Sequence, residues 1–233
     1  MWPLGSVSIK SFYSVKHKKK HLKTSQGQGE CEAKVTHKLR LLLASRRCCR
    51  ITTPSIVSCY CSKYCRKMAE NPDYKSATSV HEFTVKNIKG EDVKLDVYKG
   101  HVCIIVNVAS QCGLTANNYK QLNELHDQYA ERLRILAFPC NQFAGQEPGN
   151  SEDIVCFASE RKVKFDMFEK IDVNGDSAHP LWKFLKHKQG GTLGSFIKWN
   201  FTKFIIDKDG VPVERHGPNT DPLNLVKSLE KYW

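Results

Sequence analysis

Two short runs of apolar, largely β-branched residues constrain the fold of this chain more than any other feature. They are VCIIVNV at 102–108 and RILAF at 134–138, and both are typical of strands buried on both faces. Between these two runs, four large side chains are spaced so that they lie on one face of a helix, which predicts a helix with one buried face. These residues are Tyr119, Leu122, His126 and Tyr129. Two parallel strands joined by a helix form a right-handed βαβ unit, so the sequence predicts an α/β protein.

The flanking segments extend this pattern. HEFTV and DVKL predict a short hairpin around Asn87–Gly90. The 203–215 segment, KFIID–KDG–VPVER, predicts a second hairpin that turns at Asp209 and Gly210. Together with the βαβ unit, these elements predict a thioredoxin-like fold: a central mixed sheet flanked by helices, plus an N-terminal β-hairpin.

Local signals place the remaining helices. Thr115 is a suitable N-cap for the helix of the βαβ unit, and Ser151, followed by two acidic residues, is a suitable N-cap for the next one. A further helix is predicted from Pro180 to His187. The last 13 residues, DPLNLVKSLEKYW, predict a terminal amphipathic helix.

The basic charge of the chain is confined to its first third. Residues 1–68 hold 10 Lys and 5 Arg against two Glu, a net charge of +13, whereas residues 69–233 hold 21 basic and 22 acidic side chains. The overall charge of +12 therefore gives no support to a nucleic-acid surface on the main domain. We predict a basic, disordered targeting or tail segment over 1–77 and a thioredoxin-like domain over 78–233.

Several roles fit the N-terminal segment. Its Arg-rich, acid-free stretch THKLRLLLASRRCCR favours a mitochondrial address, whereas KHKKKHLK favours a nuclear address or a nucleic-acid patch. Initiation at Met68, where the composition changes, would leave a cytoplasmic protein. The CYCSKYC cluster at 59–65 lacks a second matched pair of ligands, so we expect no metal site there.

Cys112 is the candidate reactive group. It follows the first buried strand and precedes the helix, and a thiol near a helix N-terminus is stabilised as the thiolate. Reacting groups of parallel α/β layers gather at the carboxyl ends of the strands, where the PCNQFAGQEPG loop also lies. Cys103, inside the strand, is a better candidate for an inert core residue. The irregular cysteine spacing indicates an intracellular protein with reduced thiols.

The residues around Cys112 favour peroxide reduction over disulfide exchange. The sequence C-G-L-T has Thr115 where a dithiol enzyme has its second cysteine. A single thiolate can attack a peroxide oxygen and become a sulfenic acid, and nearby N–H donors would stabilise the leaving oxygen. Candidate donors are Gln142 and Gln146 on the loop, and Trp199 with Asn200 before the last hairpin.

Five motifs together resemble the glutathione peroxidase family, most closely its phospholipid-hydroperoxide type. They are NVASQCG, ILAFPCNQF, GQEPG, FDMF and KWNFTKF, and the similarity runs from His81 to the C-terminus. The resemblance implies a thioredoxin-like fold and peroxidatic chemistry at Cys112, which is cysteine or selenocysteine in the family. It also implies that Gln146, Trp199 and Asn200 are its catalytic partners.

The resemblance carries further expectations about substrates. A short segment from His187 to Ile197 matches the monomeric members, whose open site admits lipid hydroperoxides at membrane surfaces. Lys198 and Arg215 match cationic residues that hold phospholipid headgroups or glutathione, whereas Leu114 stands where a third basic residue is found. No bound cofactor is expected, and glutathione is the implied reducing co-substrate.

Two alternatives concern the reductant and the chemical element at position 112. Thioredoxin-dependent relatives have a resolving cysteine in the helix after the EPG loop, and Cys156 lies in that helix about one turn early. A Cys112–Cys156 disulfide is therefore the lesser hypothesis beside direct reduction by glutathione. Selenocysteine in place of Cys112 in the native protein is a separate alternative, which selenium analysis distinguishes.

Two other functions use the same residues or the tail. A redox sensor would also use oxidation of Cys112, and stable mixed disulfides in cells would separate it from an enzyme. Nucleic-acid binding would involve only the basic segment.

Overall fold

The computed structural model describes residues 71–191 and 194–233. Strands β1 (Thr84–Lys86) and β2 (Asp92–Lys94) form the predicted antiparallel hairpin. The basic segment, the CYCSKYC cluster and Met68 lie outside the described residues. Residues just before the predicted domain boundary already belong to the folded part, since Asn71 Oδ1 accepts a hydrogen bond from the Thr84 amide and Ala77 is buried.

The central sheet is mixed and has five strands in the order β5-β4-β3-β6-β7. Its strands are β3 (Val102–Val108), β4 (Leu133–Pro139), β5 (Asp166–Met167), β6 (Lys203–Ile206) and β7 (Pro212–His216). β3, β4 and β5 run parallel, whereas β6 pairs antiparallel with both β3 and β7. The βαβ unit and the second hairpin are thus confirmed, and they form a thioredoxin-like sheet. The two-residue edge strand β5 was not predicted.

Helices cover both faces of this sheet. They are α1 (Thr115–Tyr129), α2 (Ser151–Glu160), α3 (Pro180–Lys188) and α4 (Val226–Leu229). Short 3₁₀ turns lie at Val80–Glu82, Leu95–Tyr98, Pro222–Leu225 and Glu230–Tyr232. None of the described helices is long and apolar enough to cross a membrane.

The alternation of side chains along β3 divides the core into two layers. On one face, Cys103 and Ile105 pack with the apolar side of α3, including Trp182, and with the β1–β2 hairpin. On the other face, Ile104 and Val106 pack against α1 and the C-terminal segment. All seven residues of β3 are buried, so the strand that leads to Cys112 is fixed from both sides.

Two predictions about helix caps are wrong, and the terminal α-helix is shorter than predicted. Thr115 is the first helical residue, and its hydroxyl donates to the Ala109 carbonyl (2.6 Å) and accepts the Cys112 amide (3.2 Å) instead of capping the helix. Asn150 rather than Ser151 caps α2, because it forms a reciprocal capping box with Asp153. The terminal segment has only one α-helical turn between two 3₁₀ turns.

The buried face of α1 is shifted from the one predicted. Tyr119 and Leu122 are buried as expected, and Leu125 is buried with them. His126 and Tyr129 are only half-buried. The helix therefore presents a slightly different stripe to the sheet, while its periodicity was predicted correctly.

Lys203, the first residue of β6, is an unusual member of this core. Its side chain is fully buried, and its Nζ donates to the Thr220 carbonyl at 2.8 Å. Burial lowers the pKa of this amine to about 8, and the nearby Asp221 only partly offsets the effect. Between about pH 8 and 10.5 the folded protein therefore binds one proton fewer than the unfolded chain, and its stability rises with pH.

We expect Lys203→Met to remove this pH dependence. Between pH 7 and pH 10, the free energy of unfolding of the wild type should rise by about 2 kcal/mol more than that of the variant. Urea unfolding at both pH values measures the difference, and Lys208→Met, at an exposed lysine in the β6–β7 turn, is the matched control. Equal rises in the free energy of unfolding of Lys203→Met and Lys208→Met would contradict the assignment of this pH dependence to Lys203.

Candidate active site

Cys112 lies in a tight turn between β3 and α1. Its side chain is 8% exposed, and the turn is closed by two hydrogen bonds with Thr115, from the Thr115 amide to the Cys112 carbonyl (3.0 Å) and from the Cys112 amide to Thr115 Oγ1 (3.2 Å). Thr115, which stands where a dithiol enzyme has its second thiol, therefore fixes the backbone of Cys112. The geometry leaves Cys112 as the one thiol of this turn.

The loop after β4 brings Gln146 to this turn. Ala144 (φ 52°) and Gly145 (φ 63°) both adopt left-handed backbone conformations, and the Gln146 amide donates back to the Phe143 carbonyl at 3.2 Å. The Gln146 carbonyl then accepts the Gln111 amide at 3.0 Å. A direct backbone hydrogen bond thus places Gln146 beside the residue that precedes Cys112.

A third segment, Trp199 to Thr202, brings in the other predicted partners. Asn200 is fully buried and its Nδ2 donates to Gln146 Oε1 at 2.9 Å, which joins the two predicted amides into one unit. Asn200 Oδ1 is buried and has no hydrogen-bond partner among the described residues. Trp199 is 38% exposed and its ring lies 5.9 Å from that of Phe143, on the same loop as Gln146.

Asn107 holds this third segment and was missed by the sequence analysis. It is the fully buried, next-to-last residue of β3. Its Nδ2 donates to the Trp199 carbonyl (3.3 Å), its Oδ1 accepts the Thr202 amide (2.9 Å), and its carbonyl accepts the Phe201 amide (2.7 Å). These bonds stabilise Phe201 at a φ of 62°, which is unfavourable for a bulky residue. The sequence did contain a signal for Asn107, since it is the one amide in the apolar run VCIIVNV and a buried amide needs hydrogen-bond partners.

Gln142, the other amide considered from the sequence, serves a different segment. Its Oε1 accepts the amides of Val173 and Asn174 at 2.9 Å, and its Nε2 donates to the Asn174 carbonyl at 3.0 Å. With these three hydrogen bonds, its amide is used to fix residues 173–174.

The predicted substrate-binding cations have different surroundings. Lys198 is exposed and adjoins Trp199. Arg215, on β7, donates to the carbonyls of Ser195 (3.0 Å) and Phe196 (2.8 Å) and so holds the segment that leads to Lys198. Contact of either cation with substrate stays a prediction.

The other cysteines of the described region differ in their surroundings. Cys103 and Cys140 are buried, and burial raises the pKa of their thiols to about 12 and about 11. Neither is suited to act as a thiolate at neutral pH. Cys156 lies half-buried in the middle of α2, and its role as a resolving thiol stays a prediction.

Comparison with known proteins decides what this arrangement is. A family model described as "Glutathione peroxidase" matches residues 80–186. A phospholipid hydroperoxide glutathione peroxidase of Callithrix jacchus is 52% identical over 197 residues, which cover 83% of this chain and 96% of the relative. The chain belongs to the glutathione peroxidase family.

Further relatives extend the match to plants and to solved structures. A probable phospholipid hydroperoxide glutathione peroxidase of Citrus sinensis is 57% identical over 159 residues, 67% of this chain and 95% of that protein. The crystal structure of T. cruzi GPX1 is 40% identical, with a TM-score of 0.57, and the match covers 66% of this chain and 96% of that one. The crystal structure of Trgpx in apo form is 38% identical, with the same TM-score over 67% and 96% of the two chains. This peroxidase thus shares both sequence and fold with solved members of the family.

We expect Asn107→Ala to impair this peroxidase without unfolding it. Loss of two side-chain hydrogen bonds frees the Trp199–Thr202 segment, so the second-order rate constant for oxidation of Cys112 by hydroperoxide should fall about 10- to 100-fold. Stopped-flow measurement with H₂O₂ tests this, with the exposed Asn219→Ala as the matched control. A wild-type rate in Asn107→Ala would show that the segment is held without Asn107.

Proposed function

We propose that this protein reduces phospholipid hydroperoxides, other organic hydroperoxides and hydrogen peroxide to alcohols and water, with glutathione as the reductant, and so protects against lipid peroxidation. The observation that supports the chemistry most directly is the bonded chain Gln111–Gln146–Asn200, which gathers amide groups from two distant segments beside the Cys112 turn. The substrate class rests on the named activity of the relatives that are about half identical to this chain.

The oxidation step requires a thiolate and a stabilised leaving group. The sulfur of Cys112 attacks the terminal peroxide oxygen, an S–O bond forms, the O–O bond breaks, and an alkoxide leaves. Sulfur is oxidised and the peroxide is reduced. The indole N–H of Trp199 is a donor only, and the amides of Gln146 and Asn200 supply further polar groups to the developing oxyanion. The alkoxide takes up the proton that the thiol released and becomes the alcohol.

Two molecules of glutathione complete the cycle. The first glutathione thiolate attacks the sulfenic sulfur and forms a mixed disulfide with Cys112. The hydroxide that leaves takes up the proton lost by the glutathione thiol and becomes water. The second attacks this disulfide at the glutathione sulfur, which regenerates the Cys112 thiolate and yields oxidised glutathione. Because Thr115 replaces the second thiol of the turn, no disulfide can form within the turn itself. The reductant therefore has to come from outside it.

The surface around the reacting turn supports a lipid substrate. Trp199 and Phe196 are 38% and 59% exposed, and the exposed Lys198 lies between them in sequence. Apolar rings beside a cation suit the interface of a membrane, where acyl chains meet charged headgroups. We propose that a monomer presents this edge to hydroperoxides at membrane surfaces.

The basic N-terminal segment supports a proposal about location. Its Arg-rich, acid-free stretch favours mitochondrial import, and initiation at Met68 would leave a cytoplasmic form. Its Lys run permits a nuclear form that contacts nucleic acid through this segment alone.

The test is a steady-state assay on protein that begins at Met68. We expect phosphatidylcholine hydroperoxide to be reduced with glutathione, and Cys112→Ser to retain less than about one thousandth of wild-type turnover, because the nucleophile is lost. Cys156→Ser is the matched cysteine control and should remain active with glutathione.

Other outcomes point to the alternatives. Activity with thioredoxin but not glutathione, lost in Cys156→Ser, would replace our proposal with a resolving-cysteine mechanism. Stable mixed disulfides without turnover would favour a redox sensor. Full activity of Cys112→Ser would end the peroxidatic role of this residue.

A further inference from the structure

Glu147 is a buried carboxyl group beside the reacting turn, and the mechanism above does not use it. Its side chain is 1% exposed, and burial raises the pKa of the carboxyl. Among the described residues, no cationic side chain forms an ion pair with it, since Lys170 directs its ammonium group to the Glu147 carbonyl at 2.7 Å. A carboxyl group buried in this way costs stability unless specific donors satisfy it.

The donor is Ser110, two residues before Cys112. Ser110 Oγ donates to Glu147 Oε1 at 2.8 Å, and the Ser110 hydroxyl, the nearby charge of Lys170 and the Ser110 amide all favour the ionised carboxylate. The next residue along, Gln111, donates its amide to the carbonyl of Gln146 at 3.0 Å. Two successive residues of one segment are thus bonded to two successive residues of the other, which fixes their register.

The backbone of Glu147 is itself fixed by hydrogen bonds, so its carboxylate can hold Ser110 in place. Its amide donates to Asn141 Oδ1 at 2.9 Å, at the start of the same loop. Lys170 Nζ donates to the carbonyls of both Glu147 and Gly149, on either side of Pro148. The carboxylate therefore projects from a backbone that is fixed on both sides, and the Ser110 hydroxyl meets an immobile acceptor.

We propose that Glu147 is a positioning residue for the reaction at Cys112. Its carboxylate holds Ser110, and with it the Cys112 turn, in register with Gln146, so that the Gln146–Asn200 amide pair keeps its position relative to this turn. This inference rests on the proposed peroxidase function. It assigns no contact between Glu147 and the substrate, and the effect of Glu147 passes entirely through Ser110 and the turn.

The oxidation step should depend on this contact more than the reductive step does. The amides act on the oxygen that leaves during O–O cleavage, so a shift of the turn weakens that stabilisation. General loosening of the fold would instead slow both half-reactions and lower the melting temperature in parallel. The two half-reactions can be measured separately by stopped flow.

The experiment compares Ser110→Ala, Glu147→Leu, which leaves no acceptor for the Ser110 hydroxyl, and the double variant. Each single variant should lower the rate constant for oxidation by H₂O₂ about tenfold, and the double variant should be no slower than the slower single one, because all three remove the same contact. The rate of reduction by glutathione should change less than about twofold. A second serine–carboxylate pair, Ser177 Oγ to Asp172 Oδ2 at 2.8 Å, supplies the matched controls Ser177→Ala and Asp172→Leu.

Three results would overturn the inference: wild-type oxidation rates in both single variants, multiplicative losses in the double variant, or equal losses in both half-reactions with a lower melting temperature. Failure of the proposed function would be recognised separately. In that case the wild-type protein itself would show neither rapid oxidation of Cys112 nor turnover, whatever the variants did.

Discussion

The hydrogen bonds of Asn107 are the interaction on which the rest of the site depends. A β-strand supplies a rigid base only as far as its ladder extends, and the candidate site lies just beyond the end of β3. Asn107 fixes a segment beyond the ladder, because its side chain and carbonyl form hydrogen bonds with three backbone groups of the Trp199–Thr202 segment. Asn200 is fixed in this way before it meets Gln146, so the amide pair is preorganised and does not have to be assembled by the substrate.

Polar groups are concentrated at this end of the sheet at a cost in stability. Asn107, Thr115, Glu147 and Asn200 are all buried there, where apolar residues would stabilise the fold more. Most of their polar atoms are paired, but Asn200 Oδ1 has no partner among the described residues. This unsatisfied buried acceptor lies where the segments of Gln146 and Asn200 meet, and such a group is unusual in a folded protein.

The fold could be predicted from the sequence where periodicity was strong. β3, β4, the helix between them and both hairpins follow directly from alternation, β-branched runs and turn residues. Helix ends were less predictable, because Asn150 and Ser151 both suit a cap and only the reciprocal bonds with Asp153 decide between them. Thr115 was misassigned for a similar reason, since a hydroxyl that can cap a helix can equally close the preceding turn. β5 has two residues and owes its existence to its neighbour β4, so no local pattern could reveal it.

The site was predictable to the extent that its residues resemble a family, and less so from chemistry alone. Gln142 and Gln146 are equivalent as amides on one loop, and only the left-handed turn at Ala144 and Gly145 directs the second toward Cys112 while the first binds residues 173–174. Glu147 gave no signal, because acidic residues in loops are usually solvated. Thr115 illustrates how such details bear on function. Its hydroxyl bonds both sides of the reacting turn, so a second thiol at this position would gain a disulfide partner for Cys112 and lose the bonds that shape the turn. The geometry of the turn therefore favours Thr115 over a second thiol at this position.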